Sequence, residues 1–170
     1  MNHHQQQDKT TLWVVIITVV LTIMAVAIIS WAGKTENKDS ANLLPSQLQA
    51  VESSYDFGNI SMAQGKVAKV FSLRNNTAQN ITIKKLYTSC MCTKATLIKN
   101  KEYFGPFGMP AHGFIPAVDA NIESGQSAQV EVVFDPAAHG PAGVGPIERN
   151  VTLETNDGKL TLSFKANVTP

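Results

Sequence analysis

The sequence predicts an all-β fold: an Ig-like antiparallel β-sandwich of about seven strands, preceded by one N-terminal transmembrane helix. Three observations predict it. From residue 55 onward, short runs of alternating apolar and polar residues are separated by Gly, Asn and Pro, which is typical of strands joined by turns. No window in that part carries apolar residues at helical spacing. Residues 12–32, by contrast, form one apolar stretch without a charged side chain.

The apolar stretch at residues 12–32 has the length of a membrane-spanning helix. At about 1.5 Å of rise per residue it reaches roughly 31 Å, close to the thickness of the hydrocarbon core of a bilayer. Trp13 and Trp31 lie at its two ends, where indole side chains prefer the headgroup level. Ser30 and Ala32 have the small side chains of a signal-peptidase site, but the stretch is longer than the apolar core of a signal peptide. We therefore expect an uncleaved signal-anchor.

The signal-anchor divides the chain into four parts. Residues 1–11 are expected to be a short cytoplasmic tail, residues 12–32 the anchor, residues 33–51 a polar linker, and residues 52–170 the Ig-like domain. The flanking lysines do not decide the orientation, but long domains translocate largely regardless of charge. The sequence thus predicts a single-pass membrane protein whose bulk is extracytoplasmic, in the periplasm or at the cell surface.

Composition and motifs exclude several classes of function. With 14 basic and 13 acidic residues the net charge is +1, so the chain lacks the excess of positive charge that nucleic-acid binding requires. We therefore expect no nucleic-acid partner. Two cysteines cannot form the disulfide framework of a small secreted protein. The sequence contains neither a nucleophile elbow nor a phosphate-binding glycine loop, and it predicts no enzyme.

The strand patterns of the folded part are short and clearly bounded. Asp157-Gly158 separates the last two of them, and Asp-Gly between alternating runs is the strongest short-range signal for a β-hairpin. In an Ig-like sandwich, the strand at residues 128–134 is expected to pair antiparallel with the strand at residues 66–73. The predicted strands are residues 66–73, 81–86, 128–134, 151–155 and 160–166.

Three short motifs stand in the order of one bacterial family. Residues 55–60 read Tyr-Asp-Phe-Gly-Asn-Ile, residues 89–93 read Ser-Cys-Met-Cys-Thr, and residues 134–136 read Phe-Asp-Pro. The chain resembles the domain-of-unknown-function family fifteen-seventy-three over most of residues 55–169. The resemblance implies an exported or membrane-anchored Ig-like domain of the Hydin/ASPM type, and it implies no particular chemistry. The middle residue of the Ser-Cys-x-Cys-Thr element is often Gly in that family and is Met91 here.

Cys90 and Cys92 are the strongest candidates for a chemical site. They follow a predicted strand, and in a strand residues i and i+2 point to the same face with Cα atoms about 6.5 Å apart. This separation is near the outer limit for a disulfide, and it also suits two thiolates that converge on one soft metal ion. If residues 128–134 pair with residues 66–73, His139 emerges at the same end of the sandwich as the cysteines.

Two further ligand-type residues, Met109 and His112, lie in a long connection at residues 104–119 with little strand signal. Long connections are often functional, and this one has the length to fold back over the cysteines. Met91, in an extended strand, would face away from the thiols. Cys, His and Met together are soft ligands that favour copper. The expected metal ligands are Cys90, Cys92, His139, His112 and Met109.

The leading hypothesis is a membrane-tethered domain that binds a soft transition metal, copper in the first place, for storage, delivery or sensing without catalysis. Its expected partners are the membrane and a membrane enzyme or metal-delivery protein. A second hypothesis is a non-catalytic interaction or structural module, in which Phe104, Phe107 and Phe114 give the long connection apolar anchors. A third is a thiol-redox protein that uses a Cys90–Cys92 disulfide. A fourth is a buried cysteine pair without chemistry.

Overall fold

The structure is a computed structural model of the chain. It describes residues 13–24, 44–110 and 114–170. Residues 13–24 are helical. In these three ranges, no helix is both long and apolar enough to cross a membrane. The remainder of the predicted signal-anchor, the predicted cytoplasmic tail and most of the predicted linker lie outside the described residues.

Two five-stranded sheets form a β-sandwich with an Ig-like fold. The strands are β1 (Gln49–Ala50), β2 (Ser54–Ser61), β3 (Val67–Arg74), β4 (Ile81–Thr88), β5 (Thr93–Lys99), β6 (Glu102–Phe107), β7 (Ala117–Ile122), β8 (Ser127–Phe134), β9 (Gly145–Thr155) and β10 (Lys159–Thr169). One sheet has the order β1-β3-β8-β5-β6, and the other has the order β2-β10-β9-β4-β7. Short 3₁₀ turns follow β2 and β8, at Met62–Gln64 and Gly140–Gly143. The predicted all-β sandwich is confirmed.

The core lies between the sheets and is supplied by one face of each. In β8, the side chains of Ala128, Val130, Val132 and Phe134 are buried, while those between them are exposed or half-buried. This period of two is required of a strand with one face on the core. Phe134 packs against Phe164 of the opposite sheet with ring centroids 5.3 Å apart.

Two predictions of strand pairing that determine the position of the site are confirmed. β9 and β10 pair antiparallel, and Asp157-Gly158 lies in the turn between them. β3 and β8 also pair antiparallel along their whole length, with Val67 opposite Phe134 and Arg74 opposite Ser127. The direction of β8 therefore brings the chain after Phe134 to the end of the sandwich at which β4 ends.

Other details of the predicted sandwich were wrong. The described residues contain ten strands instead of about seven, partly because β6 and β7 extend into the connection at residues 104–119 that was predicted to be irregular. Gly105-Pro106 hides the strand pattern of β6, and a proline is tolerated there because β6 lies at the edge of its sheet. The sandwich is also not wholly antiparallel, since β2 pairs parallel with β10.

The chain before β1, which was predicted to belong to the linker, packs onto the sandwich. Leu48 is buried in the core. Asp157 accepts hydrogen bonds from the Ser46 hydroxyl at 2.7 Å and from the Gln47 backbone N–H at 3.0 Å. Burial raises the pKa of Asp157, but hydrogen bonds from Thr155, Ser46 and Gln47 together outweigh it, and the pKa lies below its ordinary value. This carboxylate ties the first described residues of the domain to the β9–β10 turn.

Candidate functional site: a sulfur and imidazole cluster

Cys90 and Cys92 lie in the turn that carries the chain from β4 in one sheet to β5 in the other. The backbone N–H of Thr93 donates to the Cys90 carbonyl at 3.2 Å and closes this turn. The prediction that the cysteines occupy one face of an extended strand was wrong, because β4 ends at Thr88. The turn shortens the distance between the two Cα atoms to 5.2 Å.

The sulfur atoms of Cys90 and Cys92 are joined in a disulfide. Both side chains are buried, with 8% of Cys90 and 3% of Cys92 exposed, so Cys90 is the more accessible of the two. The Cys92 backbone N–H donates to Cys90 Sγ at 3.3 Å. Cys92 Sγ lies 3.6 Å from the hydroxyl of Thr93. The structure thus shows the oxidised form of the pair, with polar contacts to both sulfurs.

His139 reaches this pair from the segment after β8. Its Nε2 lies 3.1 Å from Cys90 Sγ, and the ligand atoms of Cys90, Cys92 and His139 all lie within 4.8 Å of one another. Asp135 directs the chain to this position. Its backbone N–H donates to the Cys92 carbonyl at 2.9 Å, and its carboxylate accepts from the Ala137 N–H at 3.0 Å. The structure brings His139 to the cysteines, as expected from the pairing of β3 with β8.

Hydrogen bonds independent of the sulfurs hold the turn. The buried hydroxyl of Thr88 lies 2.9 Å from the Cys90 carbonyl and 3.1 Å from the Thr93 carbonyl. The Ser89 N–H donates to the Asn150 carbonyl at 2.9 Å, and the Asn150 N–H donates to the Ser89 hydroxyl at 2.9 Å. The turn is therefore attached to β9 by two hydrogen bonds that do not involve the sulfurs, while the Cys92 N–H donates to Cys90 Sγ.

A groove of about 550 Å³ opens beside the cluster. Met91 and Met109 both line it, and both are unusually exposed for methionine, at 62% and 49%. Met91 was expected to face away from the thiols, but that argument required an extended strand, and in the turn its side chain lines the same groove as Cys90. The lining residues are Ser89, Cys90, Met91, Met109, His139, Glu148, Arg149 and Asn150.

The remaining predicted residues have different outcomes. His112 lies outside the described residues. Phe104 and Phe107 are half-buried and pack against the core, whereas Phe114 is 72% exposed. Phe107, Met109 and Phe114 line a second and smaller pocket, which shares Met109 with the cysteine groove. Met109 therefore lines the groove of the cysteine cluster, and Phe114 does not.

Glu154 forms a second titratable cluster, on the outer side of β9. Burial raises its pKa, but hydrogen bonds and charges from Lys159, Tyr87 and Lys85 outweigh burial, so the pKa falls below its ordinary value. Its carboxylate lies 3.2 Å from the Lys159 ammonium and 3.4 Å from that of Lys85. These partners neutralise the carboxylate, and the cluster links β9 to β10 and β4 as a structural ion pair.

The fold and the site together define an Ig-like domain with a disulfide and an imidazole in contact at one end. Residues 48–105, which include both cysteines, match the model of the family DUF1573, described as a protein of unknown function. This match confirms the resemblance inferred from the sequence motifs at residues 55–60 and 89–93, and the motif at residues 134–136 lies beyond the matched residues. No curated protein matches the chain significantly by sequence.

Solved structures with similar folds share little sequence with the chain. A protein of unknown function from Porphyromonas gingivalis W83 is 15% identical with a TM-score of 0.53, and the likeness covers 71% of this chain and 46% of that one. This chain thus spans less than half the length of the Porphyromonas protein. The ASH/PapD-like domain of human CEP192 is 10% identical with a TM-score of 0.45, covering 74% of this chain and 87% of that domain. At such identity, the likeness to the Porphyromonas protein shows the fold alone.

Proposed function

We propose that this protein is a membrane-tethered, extracytoplasmic Ig-like module that binds Cu(I) through Cys90, Cys92 and His139 when the cysteine pair is reduced. The observation that carries the proposal is the convergence of two sulfurs and one imidazole nitrogen within 4.8 Å. Two thiolates and an imidazole are the donor set that soft transition metals prefer. The role is metal storage, delivery or sensing beside a membrane enzyme or a metal-delivery protein, without chemical turnover.

The distances in the cluster suit a small ion. An ion held about 2.0–2.3 Å from each donor needs donors about 3.5–4 Å apart. His139 Nε2 lies 3.1 Å from Cys90 Sγ, so a displacement of under about 1 Å brings it to that separation. The two sulfurs separate once their bond is reduced. A dithiol reductant supplies the two electrons and two protons and becomes a disulfide itself, and Cu(I) then displaces the two thiol protons.

The disulfide also supports the proposed compartment. Disulfides form and persist in oxidising environments, whereas cytosolic thiols are kept reduced. The apolar stretch at residues 12–32 is the proposed tether, and the length of the domain that follows it supports the extracytoplasmic location.

A Cu(I) titration of the full chain, purified in detergent and reduced under anaerobic conditions, tests the proposal. Competition with a colorimetric Cu(I) chelator should show one tightly bound ion per chain. The double variant Cys90→Ser/Cys92→Ser should lose this binding, and His139→Ala should weaken it about tenfold, the equivalent of one lost contact of about 1.4 kcal/mol. Asn150→Ala, which changes an exposed groove residue and keeps the backbone hydrogen bonds between Asn150 and Ser89, is the matched control. Equal binding by the reduced wild type and the double serine variant would disprove the proposal.

The bonded state of the cysteines favours thiol-disulfide exchange as a second candidate function. In that function the pair accepts or donates two electrons, and His139 interacts with the Cys90 thiolate. The same preparation separates the two functions, because a redox protein is readily reduced and reoxidised by a dithiol buffer and binds no stoichiometric copper. An interaction module that uses the Phe104, Phe107 and Phe114 region predicts, instead, that the double serine variant keeps full function.

A further inference from the structure

Two exposed methionines lie where the ligand cluster opens to solvent. Met91 is part of the cysteine turn itself, and Met109 follows β6. Both line the groove that also contains Cys90 and His139. Met62, in contrast, packs against the core. Fully buried methionine fills irregular gaps, but a methionine that is 62% or 49% exposed contributes little to packing.

Access to the two sulfur atoms is one-sided. Cys92 is 3% exposed and does not line the groove, whereas Cys90 and His139 do. An ion from solution therefore reaches the two sulfurs by way of the groove wall that carries the two thioethers. Thioether sulfur is a soft and neutral ligand that suits Cu(I), while zinc is bound by Cys, His and carboxylates.

We propose that Met91 and Met109 form a loading site that takes up Cu(I) at the groove and passes it to Cys90, Cys92 and His139. This inference rests on the proposed function. It adds the path by which the ion reaches the site and the reason that the site selects Cu(I). The transfer is a ligand exchange without change of oxidation state. Bonds from copper to thioether sulfur break while bonds to thiolate sulfur form, and the two thiol protons leave to the solvent. Thioethers need no deprotonation, so the first capture step releases no proton.

The test measures the rate and the equilibrium of loading separately in the reduced full chain. Cu(I) is delivered as its complex with a coloured chelator, and the loss of chelator absorbance is followed by stopped flow. Met91→Leu/Met109→Leu keeps side-chain volume and removes both thioethers. Its loading should be slower by about tenfold or more, the equivalent of about 1.4 kcal/mol in the barrier, while the stoichiometry stays the same. Met62→Leu is the matched control and should load at the wild-type rate.

The outcomes distinguish the two proposals. If the wild type binds Cu(I) and the double leucine variant loads equally fast, the loading site is refuted and the proposed function stands. If Met62→Leu slows loading as much as the double variant does, the effect comes from packing and the loading site is refuted as well. If the reduced wild type takes up no Cu(I), the proposed function fails, and the loading site fails with it.

Discussion

Replacing His139 with alanine is expected to lower the reduction potential of the Cys90–Cys92 disulfide. Nε2 of His139 lies 3.1 Å from Cys90 Sγ, so the ring is placed to donate a hydrogen bond to the Cys90 thiolate once the disulfide is reduced. A disulfide sulfur carries no charge and is a weak acceptor, so the oxidised form gains little from the same contact. Loss of the ring therefore destabilises mainly the reduced form.

The magnitude follows from the charge and the exposure of this contact. A hydrogen bond to a charged group contributes about 1.5–3 kcal/mol, and the exposure of His139 puts this one at the lower end of that range. For a two-electron couple, about 1.4 kcal/mol corresponds to 30 mV and to a tenfold change in the equilibrium constant. We expect the potential of His139→Ala to lie about 30 mV below that of the wild type.

The potential is measured by equilibrating the full chain in dithiol/disulfide buffers of graded ratio at pH 7. Free thiols are trapped with an alkylating reagent and counted by mass spectrometry. His139→Gln, which keeps a side-chain N–H donor, should recover part of the difference. A change smaller than about 10 mV, or a potential above that of the wild type, would refute the role assigned to this contact.

Three further predictions concern the frame around the site and the two sulfurs. Phe164→Ala removes a ring that is 1% exposed and packs on Phe134, and it should lower the free energy of unfolding by about 3–5 kcal/mol in urea titrations. A loss under about 1 kcal/mol would contradict the packing. Asp157→Asn replaces a carboxylate acceptor and should cost about 1 kcal/mol at pH 7. The pKa of Asp157 is lowered in the folded state, so its contribution to the free energy of unfolding is present above the unfolded pKa and is lost as the pH falls through the folded pKa. The difference in stability between wild type and variant should therefore disappear in acid. Finally, Cys92→Ser should leave Cys90 open to alkylation, whereas Cys90→Ser should leave Cys92 protected, because Cys90 lines the groove and Cys92 does not. Equal alkylation time courses of the two variants would refute the one-sided access to the sulfurs.

Most of the fold could be predicted because burial of one sheet face imposes a period of two on the sequence. β8 and β10 show this period clearly, and the Asp157-Gly158 turn fixes the last hairpin. β6 could not be recognised, because an edge strand needs fewer ladder hydrogen bonds and accepts Gly105-Pro106. The parallel pairing of β2 with β10 was also beyond prediction, since it joins the first and last long strands and depends on contacts far apart in sequence.

The candidate site could be predicted where it depends on strand direction and not where it depends on turn geometry. His139 follows from the antiparallel pairing of β3 with β8, which fixes the end at which β8 finishes. Met91 was missed because nothing in Ser89-Cys90-Met91-Cys92-Thr93 marks a turn by Gly or Pro. One signal was available: family fifteen-seventy-three often has Gly at the position of Met91, and Gly is a residue that turns favour.

The position of the cysteines between the two sheets accounts for both the rigidity and the accessibility of the cluster. A turn that crosses from one sheet to the other leaves the hydrogen-bond ladders of both, so its backbone needs other partners. Here Thr88, Asn150 and the N–H of Asp135 provide them, and none of these bonds involves sulfur. These bonds do not depend on the bond between the two sulfurs, so they hold the turn during reduction, reoxidation or metal exchange, while the contact of the Cys92 N–H with Cys90 Sγ changes. A site held in this way changes its sulfur chemistry without the cost of reordering the chain, which is what either metal delivery or thiol exchange requires.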